Sequence, residues 1–221
     1  MPTVMIACLR LRICRSQTAH AAPLLDRTTV KLETRWMKAA LLNRHNPGGP
    51  SIFVEPPSPE VDQAWQALYE GDRFFLIEEH EVRRMGKDPE YAVQAPEQWG
   101  MGSNKYLAIN QGQHDIYCLD RLRKFAYAEY YFENKTAEVE LDTLRCLHMI
   151  LQTLRCKWSV NLYTAFWVEG FETAAVDFNV SRKCQVYENI LSWHPKGSFT
   201  QEQFESLQAP AGARRRPAEI Q

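Results

Sequence analysis

The chain has 221 residues, 45% hydrophobic and 24% charged, which suits one globular domain with a sizeable core and is short for two. Its 26 Lys and Arg against 27 Asp and Glu leave a formal charge of -1, so nothing electrostatic argues for nucleic acid as a partner. No stretch supplies the roughly 20 apolar residues of a membrane span, and the six Cys fit either buried thiols or ligands in a reducing cytosol, or disulfides in a secretory lumen.

Residues 1–45 show no firm periodicity. Met1–Cys14 is apolar but broken by Arg10 and Arg12 and followed by Arg15, too short and too charged for a good signal peptide. Asn46-Pro-Gly-Gly-Pro50 is a loop by its turn residues. A helix is expected from Pro59: Ser58 is a good N-cap, Pro59 suits the first position, Glu60 and Asp62 favour the positive helix end, and Val61, Trp65 and Leu68 line one side. Phe74–Ile77 reads as a short strand or a helix entry. Glu78–Met85 reads as helix ended by Gly86, and Asp88–Asn104 as a long surface loop.

After the apolar run Tyr106–Ile109 comes His114-Asp-Ile-Tyr-Cys118-Leu-Asp-Arg-Leu-Arg123-Lys, continuing to Tyr130-Tyr131. His114, Tyr117 and Cys118 stand at i, i+3 and i+4. On a helix they share one face, where they could bind metal, carry protons or form a disulfide. Leu119, Leu122, Phe125 and Ala126 form an apolar stripe, with Asp120, Arg121 and Lys124 off it. Asn134-Lys-Thr136 is an N-glycosylation sequon. A second helix is expected from about Glu138 to Arg155, with Leu144, Leu147, Leu151 and Leu154 as its core stripe beside Ile150. Val160–Val168 alternates as a half-buried strand does. Asn179-Val-Ser181 is a second sequon, Cys184–Trp193 reads as a last short helix, and residues 199–221 read as a polar, basic, disordered tail.

The stretch from His114 resembles the first signature of the UstYa-like proteins of fungal secondary metabolism. There a helix carries His-x-x-His-Cys-Leu, then Leu/Ile-Arg-Lys and a Tyr pair; here Tyr117 stands at the second His. The segment Ser58-Pro-Glu60-Val-Asp62-Gln-Ala-Trp65-Gln-Ala-Leu68 is similar to the helix that precedes that signature in the family. A second His-x-x-His-Cys falls on Asp142-Thr-Leu-Arg145-Cys146, with the later Cys156 also matching, while Cys184 with Leu191-Ser-Trp193 fits a further region loosely. The resemblance covers Pro56 to Trp193.

The resemblance implies a mainly α fold with a few short strands (α+β). Two signature helices would pack on each other in a single domain over 46–198, preceded by a variable segment 1–45 in which the family's usual membrane helix is not seen. Either a soluble variant or a mispredicted start of the reading frame accounts for that difference. Members perform oxidative cyclisation, hydroxylation or halogenation of peptides and small metabolites, with copper proposed for some. Two His at i, i+3 on each of two facing helices can offer four imidazoles to one metal. Here the four positions are His114, Tyr117, Asp142 and Arg145, and a guanidinium offers only donors. That leaves His114 and Asp142 as metal ligands and His114, Tyr117 and Asp142 as the catalytic set, with His148 a substitute only if it faces the same cleft.

Plainer roles stay open. His114 fits a structural histidine, Tyr117 a packed aromatic, and Asp142 with Arg145 an i, i+3 ion pair worth ~0.5 kcal/mol if exposed. Cys146 and Cys156 lie about 15 Å apart on one helix and cannot bond each other. The resemblance implies Cys118–Cys146 and Cys156–Cys184 disulfides and glycosylation at Asn134 and Asn179, in the lumen of the secretory pathway or associated with its membrane; Cys8 and Cys14 have no evident partner. It further implies an oxidase tailoring a peptide or small-molecule intermediate in a fungal biosynthetic cluster. The alternatives are an inactive homologue partnering an active UstYa-like paralogue, or a metal-independent cyclase moving protons with His114 and Asp142.

Overall fold

The computed structural model describes residues 23, 31–37, 51–69, 74–186, 188 and 199–217. In chain order the elements are β1 (Leu32–Met37), α1 (Pro59–Gln66), β2 (Phe74–Glu78), α2 (Glu79–Arg84), β3 (Lys105–Ile109), α3 (Gln111–Ala126), α4 (Ala128–Tyr131), α5 (Ala137–Cys156), β4 (Thr164–Trp167), β5 (Ala174–Asp177), β6 (Val180–Gln185) and α6 (Gln201–Glu205). This is the expected α+β class. The strands pair two by two, β1 with β6, β2 with β3 and β4 with β5. The expectations for Met1–Cys14, Cys8, Asn46–Pro50 and Leu191–Trp193 lie outside the described residues. Two compact units emerge, one of residues 1–30, 74–108 and 187–221, the other of residues 31–73 and 109–186.

In the first unit β2 reads Phe-Phe-Leu-Ile, an unbroken apolar run of the kind a strand covered on both faces requires. Phe75 and Ile77 pack with Val82 and Tyr106, while Phe74 and Leu76 pack with Phe199, Trp99 and Met101. Glu78 and Glu81 cap α2 reciprocally, and Gly86 ends it at φ +70°, where a side chain would be strained. The expected disordered tail is instead built into this unit. Phe199 is 3% exposed, α6 follows a Thr200–Gln203 capping box, and the Phe199 and Phe204 rings lie 5.1 and 5.4 Å from Phe74. Two aromatic anchors outweigh the polar composition around them.

In the second unit three helices begin on side-chain caps. Ser58 Oγ accepts from the Val61 N–H at 3.2 Å, Asn110 from Gln113 at 3.1 Å and Thr136 from Val139 at 3.3 Å. Helices α3 and α5 run antiparallel. Gln111 and Asp115 reach Thr153 at 3.5 and 3.3 Å, Cys118 is bonded to Cys146 with Cα atoms 4.8 Å apart, and Arg121 lies 3.8 Å from Asp142. The two signature helices therefore face each other.

The faces they use differ from those read off periodicity. On α5 the buried residues are Thr143 and Cys146, while Leu144, Leu147, Leu151 and Leu154 are 48–63% exposed. Small side chains admit the short Cα separation of the disulfide, and the disulfide fixes which face turns inward. On α3 Leu119 is 44% exposed, whereas Asp120, expected outside, is 2% exposed.

Two further expectations change. The strand expected at Val160–Val168 is confined to Thr164–Trp167, is exposed throughout, and pairs antiparallel with β5; Val160 and Leu162 are 90% and 87% exposed. Alternation supplied the period, but among the described residues no apolar layer covers it. Cys184 lies not in a helix but in β6, opposite Glu33 of β1, a strand the sequence did not announce.

Candidate functional site

His114, Tyr117 and Cys118 do share one side of α3. His114 is half-buried, its Nδ1 3.9 Å from Cys118 Sγ and its ring 5.9 Å from Tyr117. Tyr117 stacks edge-on against Tyr69, with centroids 5.6 Å apart. The second signature lies on the other side of the disulfide. Asp142 is level with Arg121, while His114 is seven residues earlier on α3, about 10 Å along the axis at 1.5 Å per residue. The antiparallel register therefore separates His114 from Asp142 by two helical turns and does not bring them together as ligands of one ion.

Asp142 is instead held by guanidinium groups, Arg145 at 3.4 Å and Arg121 at 3.8 Å. The i, i+3 ion pair expected as the plain alternative is present. His148 is exposed on α5. Among the described residues no three His, Cys, Asp or Glu side chains converge to hold a metal ion. One imidazole beside a phenol does not form the donor set copper requires, so the residues present do not fit the metal that the signature implies.

Of the two disulfides implied, the structure forms Cys118–Cys146. Cys156 and Cys184 are free thiols, a correction to the second pair. Cys156 is the exposed last residue of α5, and Cys184 is committed to the β1–β6 ladder with its Sγ 3.9 Å from the Arg182 carbonyl oxygen. The sequon residues Asn134 and Asn179 are exposed.

A second constellation had no role assigned from sequence. Asp120 of α3 accepts from Arg123 Nε at 2.7 Å and from the Tyr69 hydroxyl at 3.1 Å, and pairs with Lys124 at 3.1 Å. Arg123 also donates to Asp62 of α1 at 2.5 Å and to the Tyr131 hydroxyl at 2.8 Å, and Tyr131 donates to Asp62 at 2.7 Å. The Arg123 guanidinium lies over the Trp65 and Tyr131 rings at 5.5 and 5.1 Å. Three helices are thus fastened by partly buried, charge-assisted hydrogen bonds.

The network sets its own titration. Burial raises the Tyr131 hydroxyl, and its hydrogen bond to Asp62 raises it further, to about 12. Burial would raise Asp62, but hydrogen bonds from Tyr131 and Arg123 outweigh it and hold the carboxyl below its ordinary value. The signal was in the sequence: Asp62, Trp65, Arg123 and Tyr131 all belong to the two segments that carry the resemblance. An open cavity of about 1260 Å³ lies in the first unit, lined by Tyr91, Trp99, Tyr106 and Arg214 among others, and none of His114, Tyr117 and Asp142 lines it.

Residues 2–196 match the family model described as mycotoxin biosynthesis protein UstYa. The UstYa family oxidase aprY of Aspergillus flavus is 31% identical over 174 residues, covering 74% of this chain and 52% of that protein. Two UstYa family oxidases of Diaporthe leptostromiformis also match. PhomYd is 24% identical over 151 residues, covering 65% of this chain and 46% of that protein. PhomYc is 22% identical over 192 residues, covering 81% and 70%. The chain thus spans about half the length of the first two. No solved structure matches it.

Proposed function

The chain belongs to the UstYa family, and from that membership we propose that it serves the oxidative tailoring of a peptide or small metabolite in a fungal biosynthetic pathway, through the side of α3 that carries His114 and Tyr117. The family match and three relatives named as oxidases support the pathway class. The observation that carries the narrower reading is the register about Cys118–Cys146, which leaves His114 as the one imidazole beside the disulfide on α3 and gives Asp142 to two arginines. The His114 imidazole can take or return a substrate proton, and the adjacent Tyr117 phenol can donate a hydrogen bond to a bound oxygen. That pair handles the proton steps alone; oxidative cyclisation, hydroxylation or halogenation each also needs an external two-electron oxidant to take the substrate's electrons. The disulfide and the exposed sequons Asn134 and Asn179 support an oxidising, secretory setting.

A second reading draws on the Arg121–Asp142–Arg145 cluster. An ion pair stands where the family motif has two histidines, which favours an accessory homologue working beside a complete paralogue. Deleting the gene in its source fungus and profiling metabolites by mass spectrometry tests both. Build-up of a less oxidised precursor is expected, restored by the wild type and by Asp142→Asn but not by His114→Ala. Restoration by His114→Ala would move the conclusion to the accessory role, and an unchanged profile on deletion would contradict both.

A further inference from the structure

Among the described residues of its own unit, the leucine edge of α5 is not covered. Leu141, Leu144, Leu147, Leu151 and Leu154 are each 48–63% exposed along a helix of 20 residues, about 30 Å long. A contiguous apolar strip of this kind marks an interaction surface. Leu144, Leu147, Leu151 and Leu154 are spaced 3-4-3, the seam of a two-stranded coiled coil. The strip also avoids the site. In an antiparallel pair the residues that follow the two bridging cysteines, Leu119 and Leu147, turn to one face, and those that precede them, Tyr117 and Arg145, turn to the other.

Charge selects the occupant. The first turn of α5 is acidic, with Glu138 and Glu140, and its end is basic, with Arg155 and the capping Lys157, all exposed. A parallel copy would set like charges side by side. An antiparallel copy sets Leu144 and Leu147 against Leu154 and Leu151 of the other chain, and brings each acidic turn against a basic one. We propose that α5 is a self-association surface on which a second copy of this chain packs its own α5 antiparallel about a two-fold axis. This proposal is independent of the reaction assigned above. The His114–Tyr117 side stays open in the pair, so association does not close the site.

Sedimentation velocity of the full chain tests the surface. The wild type is expected to dimerise at micromolar concentration. Leu147→Lys with Leu151→Lys should leave a monomer that keeps its helical circular dichroism, since both side chains are exposed. Glu138→Lys with Glu140→Lys makes both ends basic and should weaken the dimer roughly tenfold, 1.4 kcal/mol. Arg155→Glu with Lys157→Glu makes both ends acidic and should act alike, and mixing the two variants should restore association as a heterodimer. A wild type that is monomeric at every concentration, a dimer indifferent to these changes, or association only with a different protein overturns the proposal.

Discussion

Helices α3 and α5 are joined by one disulfide and share one interface, yet they treat their side chains in opposite ways. α3 buries Asp120 and pairs it with Arg123, Lys124 and the Tyr69 hydroxyl. α5 exposes its leucines and buries Thr143 and Cys146. The difference teaches which residues of each signature are architecture. On α3 charge is interior because Asp120 is met by Arg123 and Lys124 of its own helix and by the Tyr69 hydroxyl, while Arg123 reaches on to Asp62 of α1 and Tyr131 of α4; on α5 the cysteine decides the inward face, and hydropathy does not.

Removing the shared bond should have the largest effect. Cys118→Ala with Cys146→Ala reopens a loop spanning 28 residues in the unfolded chain, a loss of about 3.5 kcal/mol by the loop-entropy estimate. Denaturant titration of the double variant against the wild type reads it directly. A loss below roughly 1 kcal/mol would mean that side-chain packing, not the cross-link, holds the helices together.

Asp120→Ala should come next, at about 3 kcal/mol, because it removes the buried carboxylate that Arg123, Lys124 and the Tyr69 hydroxyl share and leaves Arg123 with Asp62 alone as its counter-charge. The matching change on α5, Arg145→Ala, breaks only an exposed pair with Asp142 and should cost no more than about 0.5 kcal/mol. Equal effects of the two substitutions would erase the contrast between the helices.

This contrast also explains what was legible. Helix starts could be read, because caps are local: Ser58 before Pro59 names the first residue of α1, and Gly86 the end of α2. The burial of Asp120 could not, since the Tyr69 hydroxyl that reaches it is 51 residues away in sequence; hydropathy places such a carboxylate outside. The β1–β6 ladder, joining Leu32 to Gln185, is likewise non-local, and neither strand has a strong period of its own. Family resemblance located the Cys118–Cys146 bond but carried the Cys156–Cys184 pair too far. It also supplied the words Asp62, Arg123 and Tyr131 without saying that they bind one another.

The network sharpens the comparison through pH. Asp62 has a folded pKa below its unfolded one, so its contribution is complete above about pH 4 and is lost as pH falls through the lowered value. Tyr131 is raised from 10.0 to about 12, so folding holds its proton more tightly; that contribution is complete below pH 10.0 and fades as pH rises towards 12. Tyr131→Phe should lower stability by about 1 kcal/mol near neutral pH and flatten the decline on the alkaline side, as measured by urea titrations across pH. An alkaline decline unchanged in Tyr131→Phe would remove Tyr131 as its source.

The central claim is that the register about Cys118–Cys146 keeps His114 and Asp142 apart, so that they do not act as one ligand set. Cu(II) titration of the full chain, read by copper per chain and by the electron paramagnetic resonance of bound Cu(II), tests it most directly. The geometry predicts that Asp142→Asn leaves affinity and spectrum as in the wild type, whatever weak binding His114 supports. One stoichiometric copper, lost in both His114→Ala and Asp142→Asn, would place the two side chains on a common ion and contradict the account.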